Sequence, residues 1–199
     1  MQAIFMKIQT LAVEGVLLVE PKRVYCAGGF SCESYNAELL AKWGAGSVFV
    51  QERTALTAGS GTVTGLHYQR PPFAQAKLIR AVRGAVFAVA VDLRKGSATF
   101  GQAISAELTA ENNLQLYAPD GFAFGHATLR PLTEIQCKSS RPVSATHRGG
   151  IYWDDPALRI NWPITADEAI ISPEDQTWPL LRDVKTPFAA DTSDEDAAA

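Results

Sequence analysis

The chain has 199 residues, 47% of them hydrophobic and 20% charged, with a formal net charge of −3. That length buries a real core in one domain, and the acidic balance excludes the broad positive field that nucleic-acid binding needs. No apolar run reaches the roughly 18 residues of a bilayer span, so no membrane association is expected.

The N-terminal stretch MQAIFMKIQTLAVEGVLL is apolar but lacks the charged–apolar–small layout of a secretion signal. The cysteines, Cys26, Cys32 and Cys137, are odd in number and irregularly spaced. They read as free thiols in a reducing cytoplasm. In chain order, short apolar or β-branched runs recur: VLLVE, SVFVQE, KLIRAVRG, AVFAVAVDL, NLQLYA, AFGHATL and LRINWPI. Turn signals such as RKGS, AENN and APDG punctuate them. This spacing predicts an all-β sandwich or barrel. One helix is expected in SYNAELLAKWG, where Ala37, Leu40 and Ala41 share a face and Gly44 ends it. A second helical turn is expected at SPEDQTW, capped by Ser172 with Pro173 at its first position. AVFAVAVDL is apolar on both faces, as a strand between two layers would be, and Ala85, Ala88 and Ala90 read as tight packing. Residues 1–185 form one expected domain, and 186–199 an acidic, disordered tail.

The series GLHYQRPPFAQAKLIRAVRGAVFAVAVDLRKGSATFG, LTAENNLQLYAPDGFAFGH, GIYWDDPALRINWP and ISPEDQTWPLL resembles the dTDP-4-dehydrorhamnose 3,5-epimerase family over residues 12–182. The resemblance implies a cupin-type jelly roll and a homodimer that exchanges strands. It implies action on a nucleotide-linked 4-keto-6-deoxy sugar without metal or organic cofactor. It assigns the base to His67, the partner of that base to Asp175, and the cation near the keto oxygen to Lys77. Substrate contacts fall to Phe30, Glu33, Gln51, Arg53, Gln69 and His126. The chemistry fits such residues, because a proton next to a ketone leaves only if the resulting enolate oxygen is held by a donor or cation.

The sequence departs from the family pattern at several points. Gly28 and Thr64 stand where arginines usually hold the diphosphate, which removes two bidentate donors. Arg53 replaces a smaller polar group and offers a phosphate contact from a new direction. Ala88 replaces an aspartate beside the lysine. Phe124 replaces a histidine, and His126, two residues on and on the same strand face, is expected to reach the same pocket. Cys137 stands at the tyrosine that serves as the opposite acid. It reads as that acid or as a small buried hydrophobe. The metal pattern of other cupins is broken at Gln69 and Phe124, so no metal is expected. His147 reads as exposed, and Trp153, Trp162 and Trp178 as core, with Trp178 bordering the pocket. Three functions are open: an epimerase inverting C3, C5 or both; a keto-isomerase with a single base; and an inactive nucleotide-sugar-binding relative.

Overall fold

The computed structural model describes residues 6–46 and 48–190. Its strands are β1 (Met6–Thr10), β2 (Leu17–Pro21), β3 (Arg23–Cys26), β4 (Gly29–Cys32), β5 (Gln51–Thr57), β6 (Thr62–Gln69) and β7 (Lys77–Arg83), followed by β8 (Ala85–Asp92), β9 (Ala103–Thr109), β10 (Gln115–Ala118), β11 (Phe122–Thr128), β12 (Thr133–Ser139), β13 (Arg148–Gly150) and β14 (Ile170–Ile171). Two sheets carry the fold. One has the order β1-β2-β10-β7-β12-β5, the other β13-β6-β11-β8-β9 with β14 beside β6. Strands β3 and β4 form a separate hairpin. This is the cupin-type jelly roll that the motifs imply.

β8 explains how the layers hold together. Val86, Ala88 and Ala90 turn toward the other sheet and meet Ile79, Leu116 and Ile135. Val89 and Val91 turn the other way, against Leu66, Ile151, Leu158 and Phe188. A strand covered on both faces has to be apolar at nearly every position, and its alanines let the sheets approach closely.

The helix α1 spans Ala37–Ala41, where the sequence places it. Asn36 caps it by accepting the Leu39 N–H at 2.9 Å, and Gly44, at φ +83°, ends it. Its inward Leu40 is 1% exposed and packs among Leu17, Val19, Leu78 and Tyr117. Truncating it to alanine would cost about 2–5 kcal/mol.

Three expectations change. Within SVFVQE, whose Ser47 lies outside the described residues, Val48 to Val50 precede β5, which starts only at Gln51, and Val48 and Val50 are exposed. LRINWPI lies in no strand: Arg159 takes a left-handed φ of +50°, and Pro163 lacks the N–H that a ladder needs. SPEDQTW makes the helical turn expected of it, Asp175–Thr177, with the Ser172 hydroxyl accepting the Asp175 N–H at 3.1 Å. The domain does not stop at 185, since Phe188 is buried against Tyr68 and Ala189 bridges to Lys95. The rest of the expected tail, 191–199, lies outside the described residues.

Candidate active site

The site begins at a close approach of two backbones. Gly65 on β6 has φ +108°, and a Cβ there would stand 2.7 Å from the Phe124 carbonyl oxygen. A Cβ on Gly125 would meet the Thr64 carbonyl oxygen at 2.7 Å. Glycine at both positions therefore lets β6 and β11 touch, and the register between them shifts there. The shift breaks the strict alternation of β6, so Thr64 and His67, three residues apart, both line one cavity.

The cavity holds about 390 Å³ between the two sheets. One wall carries Thr64, His67, Phe124, His126 and Arg148. The other carries Arg53, Lys77, Ile79, Cys137 and Ser139. On that second wall Cys137 pairs with Arg53 on one side and Ile79 on the other, so their side chains share a face.

His67 Nε2 lies 2.5 Å from Asp175 Oδ1. The Asp175 carboxylate also accepts the Gly65 N–H at 3.1 Å and the Trp178 indole N–H at 3.1 Å. Burial pushes Asp175 up, but these bonds and the facing imidazole outweigh it and hold the carboxyl well below its ordinary range. Burial pulls His67 down; Asp175 opposes this, while Arg148 and Lys77 add to it. At neutral pH the pair is thus a carboxylate and a neutral imidazole. With the proton on Nε2 directed to Asp175, Nδ1 keeps a lone pair for a base to use.

Across the cavity, Lys77 forms no ion pair among the described residues. Ala88 offers it no carboxylate, and its ammonium stands 5.9 Å from the centre of the Phe124 ring. Burial lowers its pKa, the Cys137 thiol opposes this, and Arg148 and Arg53 lower it further. Burial raises the Cys137 pKa, with Lys77 opposing, so Cys137 is a protonated thiol at neutral pH. It is also packed against the core, as a small hydrophobe would be. His126 is 8% exposed and lines the cavity beside Phe124. Burial, and then the neighbouring His67 and Lys77, bring its pKa down to about 4.

The expected site residues do not all converge. His67, Lys77, Cys137, Arg53, Gln69 and His126 line the cavity, with Asp175 directly behind His67. Gln69 is occupied by the backbone: it donates to the Phe73 and Pro142 carbonyls and accepts the Ser144 N–H. Gln51 sits at the rim and accepts the Val143 N–H. Phe30 and Glu33 lie away from the cavity. Phe30 is on the exposed β3–β4 hairpin under the Arg23 guanidinium, and Glu33 accepts from the Asn36 amide. His147 is not exposed as expected. It is half-buried, its ring tilted against Phe73 with centroids 4.6 Å apart and hydrogen-bonded to the Ser144 hydroxyl. Among the described residues, no three His, Cys, Asp or Glu side chains cluster to hold a metal.

Arg148 is the residue that the sequence reading missed. It sits in the polar run SATHRGG, which looks like an exposed loop. The available signal was the Gly149-Gly150 pair after it. A Cβ at 149 would meet Tyr68 at 2.6 Å, and one at 150 would meet Trp178 at 2.4 Å. These glycines let β13 lie flat on the dyad's surroundings and so deliver Arg148 to His67.

A jelly roll with a His–Asp dyad on one wall and a lysine on the other is a cupin-type acid–base site. The model of the family described as dTDP-4-dehydrorhamnose 3,5-epimerase matches residues 10–183. The dTDP-4-dehydrorhamnose 3,5-epimerase of Sinorhizobium fredii is 43% identical over 183 residues, which cover 92% of this chain and 93% of that protein. The Bacillus anthracis enzyme of the same name, crystallised with TDP and PPi bound, superposes with a TM-score of 0.84 at 41% identity, covering 88% of this chain and 99% of that one. The Legionella pneumophila dTDP-6-deoxy-D-glucose-3,5-epimerase, in complex with dTDP-4-keto-L-rhamnose, gives 0.87 at 32% identity, covering 93% and 99%. The chain belongs to the dTDP-4-dehydrorhamnose 3,5-epimerase family.

Proposed function

We propose that this chain is a nucleotide-sugar epimerase that inverts C3, C5 or both of a dTDP-4-keto-6-deoxyhexose. The observation that carries the reading is the His67–Asp175 dyad facing Lys77 across one cavity. His67 Nδ1 takes the proton from a carbon next to the ketone. The C–H electron pair becomes the enolate double bond, and the carbonyl oxygen gains the charge. The Lys77 ammonium, which pairs with no carboxylate among the described residues, holds that oxyanion. A proton delivered from the opposite wall, where the Cys137 thiol stands, gives the inverted carbon. Returning the proton from His67 restores the original one.

Among the described residues, the cations lining the cavity are Arg53, Lys77 and Arg148, and no carboxylate lines it. In a chain of net charge −3 this local excess suits a diphosphate. Relatives named for dTDP sugars, and the complexes described above, support the same substrate class. A homodimer in the cytoplasm completes the reading. Tyr25 and Phe30 are 74% and 51% exposed on the β3–β4 hairpin, and a second copy would cover them and receive Phe30 and Glu33 at its own cavity mouth. Light scattering on the purified chain tests the dimer.

The decisive experiment is incubation with dTDP-4-keto-6-deoxyglucose in D₂O, following C3 and C5 by proton NMR, with wild type and His67→Ala. Exchange that vanishes with His67 supports enolate chemistry, and the labelled carbons say which centres are handled. A folded protein that binds dTDP but exchanges neither carbon refutes it.

A further inference from the structure

The Arg148 guanidinium occupies the place where the base must work. Its Nη2 lies 2.9 Å from His67 Nε2 and 3.3 Å from Nδ1. The two ring nitrogens point their in-plane orbitals apart, so one atom this close to both lies over the ring and not on either lone pair. Asp175 already holds Nε2. A cation over the imidazole therefore both shields Nδ1 and opposes its protonation.

Arg148 is held there weakly. Its second nitrogen, Nη1, pairs with Glu174 at 2.8 Å, but the two side chains are 36% and 52% exposed. An ion pair that open to water contributes about 0–1 kcal/mol. The Asp175 carboxylate is 3.8 Å away and is already engaged by its three donors.

An anion has reason to draw Arg148 off. Of the guanidinium groups on the cavity wall, Arg148 comes from β13, the edge of one sheet, and Arg53 from β5, the edge of the other. The two flank the cavity from opposite sides. Thr64, on the same wall as Arg148, carries no charge, and Gly28 has no side chain to offer a phosphate. A diphosphate entering here meets Arg53 and Arg148 as its forked donors.

We propose that Arg148 is a cover on the base that responds to substrate: in the free protein it rests on His67, and it moves to the diphosphate when the nucleotide sugar enters, leaving Nδ1 open to the sugar. The proposal rests on the epimerase reading above and adds a coupling to it. The part of the substrate that does not react releases the group that does, so a sugar without its nucleotide meets a covered base.

The test follows the His67 ring by NMR in protein labelled at histidine, as a function of pH, with and without dTDP. The groups facing that ring are Asp175 and Trp178 from the 175–178 segment, Arg148 from β13, Lys77 from β7 and His126 from β11. All except Arg148 stay constant in Arg148→Gln. In the free protein, Arg148→Gln should raise the His67 pKa, and dTDP should raise it in wild type but move it less in the variant. Affinity for dTDP should fall at least about tenfold, as loss of a charge-assisted fork does, and Arg148→Lys should recover part of it. Unchanged His126 and His147 signals would show that the variant is folded. An identical His67 titration in free wild type and Arg148→Gln would overturn the cover, and equal dTDP affinity would overturn the move to phosphate. Failure of wild type to bind dTDP would overturn the epimerase reading and the anion half of the proposal together, while the free-protein titration would still decide whether Arg148 covers the base.

Discussion

His67 Nε2 and Asp175 Oδ1 lie 2.5 Å apart, joined across 108 residues of sequence. The contact fixes the tautomer. Asp175 in turn is fixed by Gly65 and Trp178, so the base is oriented by a carboxylate that cannot turn away. Asp175→Asn keeps the shape but takes away the charge. Its amide can also present an N–H to Nε2, which would put the imidazole proton on Nδ1. The expected result is a fall in kcat/KM of about 10²–10⁴, the range of a general base, with dTDP affinity unchanged because Asp175 does not line the cavity. Steady-state kinetics and calorimetric binding of dTDP check the two halves separately.

Among the described residues Lys77 pairs with no carboxylate, and it is partly buried with its ammonium 5.9 Å from the Phe124 ring centre. Such a group is costly to the fold and useful to an oxyanion. Lys77→Met should lower turnover about 10²–10³-fold, as loss of one oxyanion donor does. It should also leave stability unchanged or raise it by about 1–2 kcal/mol, because an apolar side chain of similar length replaces a desolvated charge. Urea unfolding beside kinetics gives both readings. A variant that loses activity and stability together would mean that Lys77 holds the fold through a partner.

Cys137 stands on the wall opposite His67 and is a thiol, not a thiolate, at neutral pH. Cys137→Ala should therefore leave proton removal by His67 intact and reduce proton delivery from the far side. In D₂O the variant should exchange label into the sugar at close to the wild-type rate, while the yield of inverted product falls at least about tenfold. Inversion at the wild-type rate would leave Cys137 as a packing residue among Ile79, Ile135 and Leu116.

Some of this was legible in the sequence because it rests on local pattern. β8 announces itself through apolar residues on both faces and α1 through Ala37, Leu40, Ala41 and Gly44, while the dyad was reached through the family resemblance that the motifs around His67 and Asp175 carry. Phe124 and His126 share a face because strand period is two, whatever the fold. The rest depends on what neighbouring strands do. LRINWPI has the composition of a strand but no partner edge to pair with, and Pro163 breaks the donor row. SATHRGG looks like solvent-facing loop, and only the ladder Arg148↔Gln69, Gly149↔Tyr68, Gly150↔His67 turns it toward the site. Phe188 follows the expected domain end, yet the Tyr68 face needs a cover that only the three-dimensional fold reveals.

His126 gives the protein a pH dependence that can be measured without substrate. In the folded chain burial keeps it neutral down to about pH 4, whereas its ordinary pKa is 6.5. Between those values the unfolded chain binds a proton that the folded chain refuses. Unfolding is then favoured as pH falls, and the stability present above pH 6.5 is lost progressively toward pH 4. By pH 5 this one group should remove about 2 kcal/mol. His67 and Asp175, both shifted down, act in the same direction, so wild type should lose more than His126 alone explains. His126→Phe replaces the ring with an apolar one beside Phe124 and cannot take up the proton. Its urea-unfolding free energy should match or exceed that of wild type near pH 7, and the variant should become the more stable of the two by about 2 kcal/mol near pH 5. Parallel curves for the two proteins would mean that His126 takes up its proton as readily in the folded cavity as in the unfolded chain and is not held neutral there.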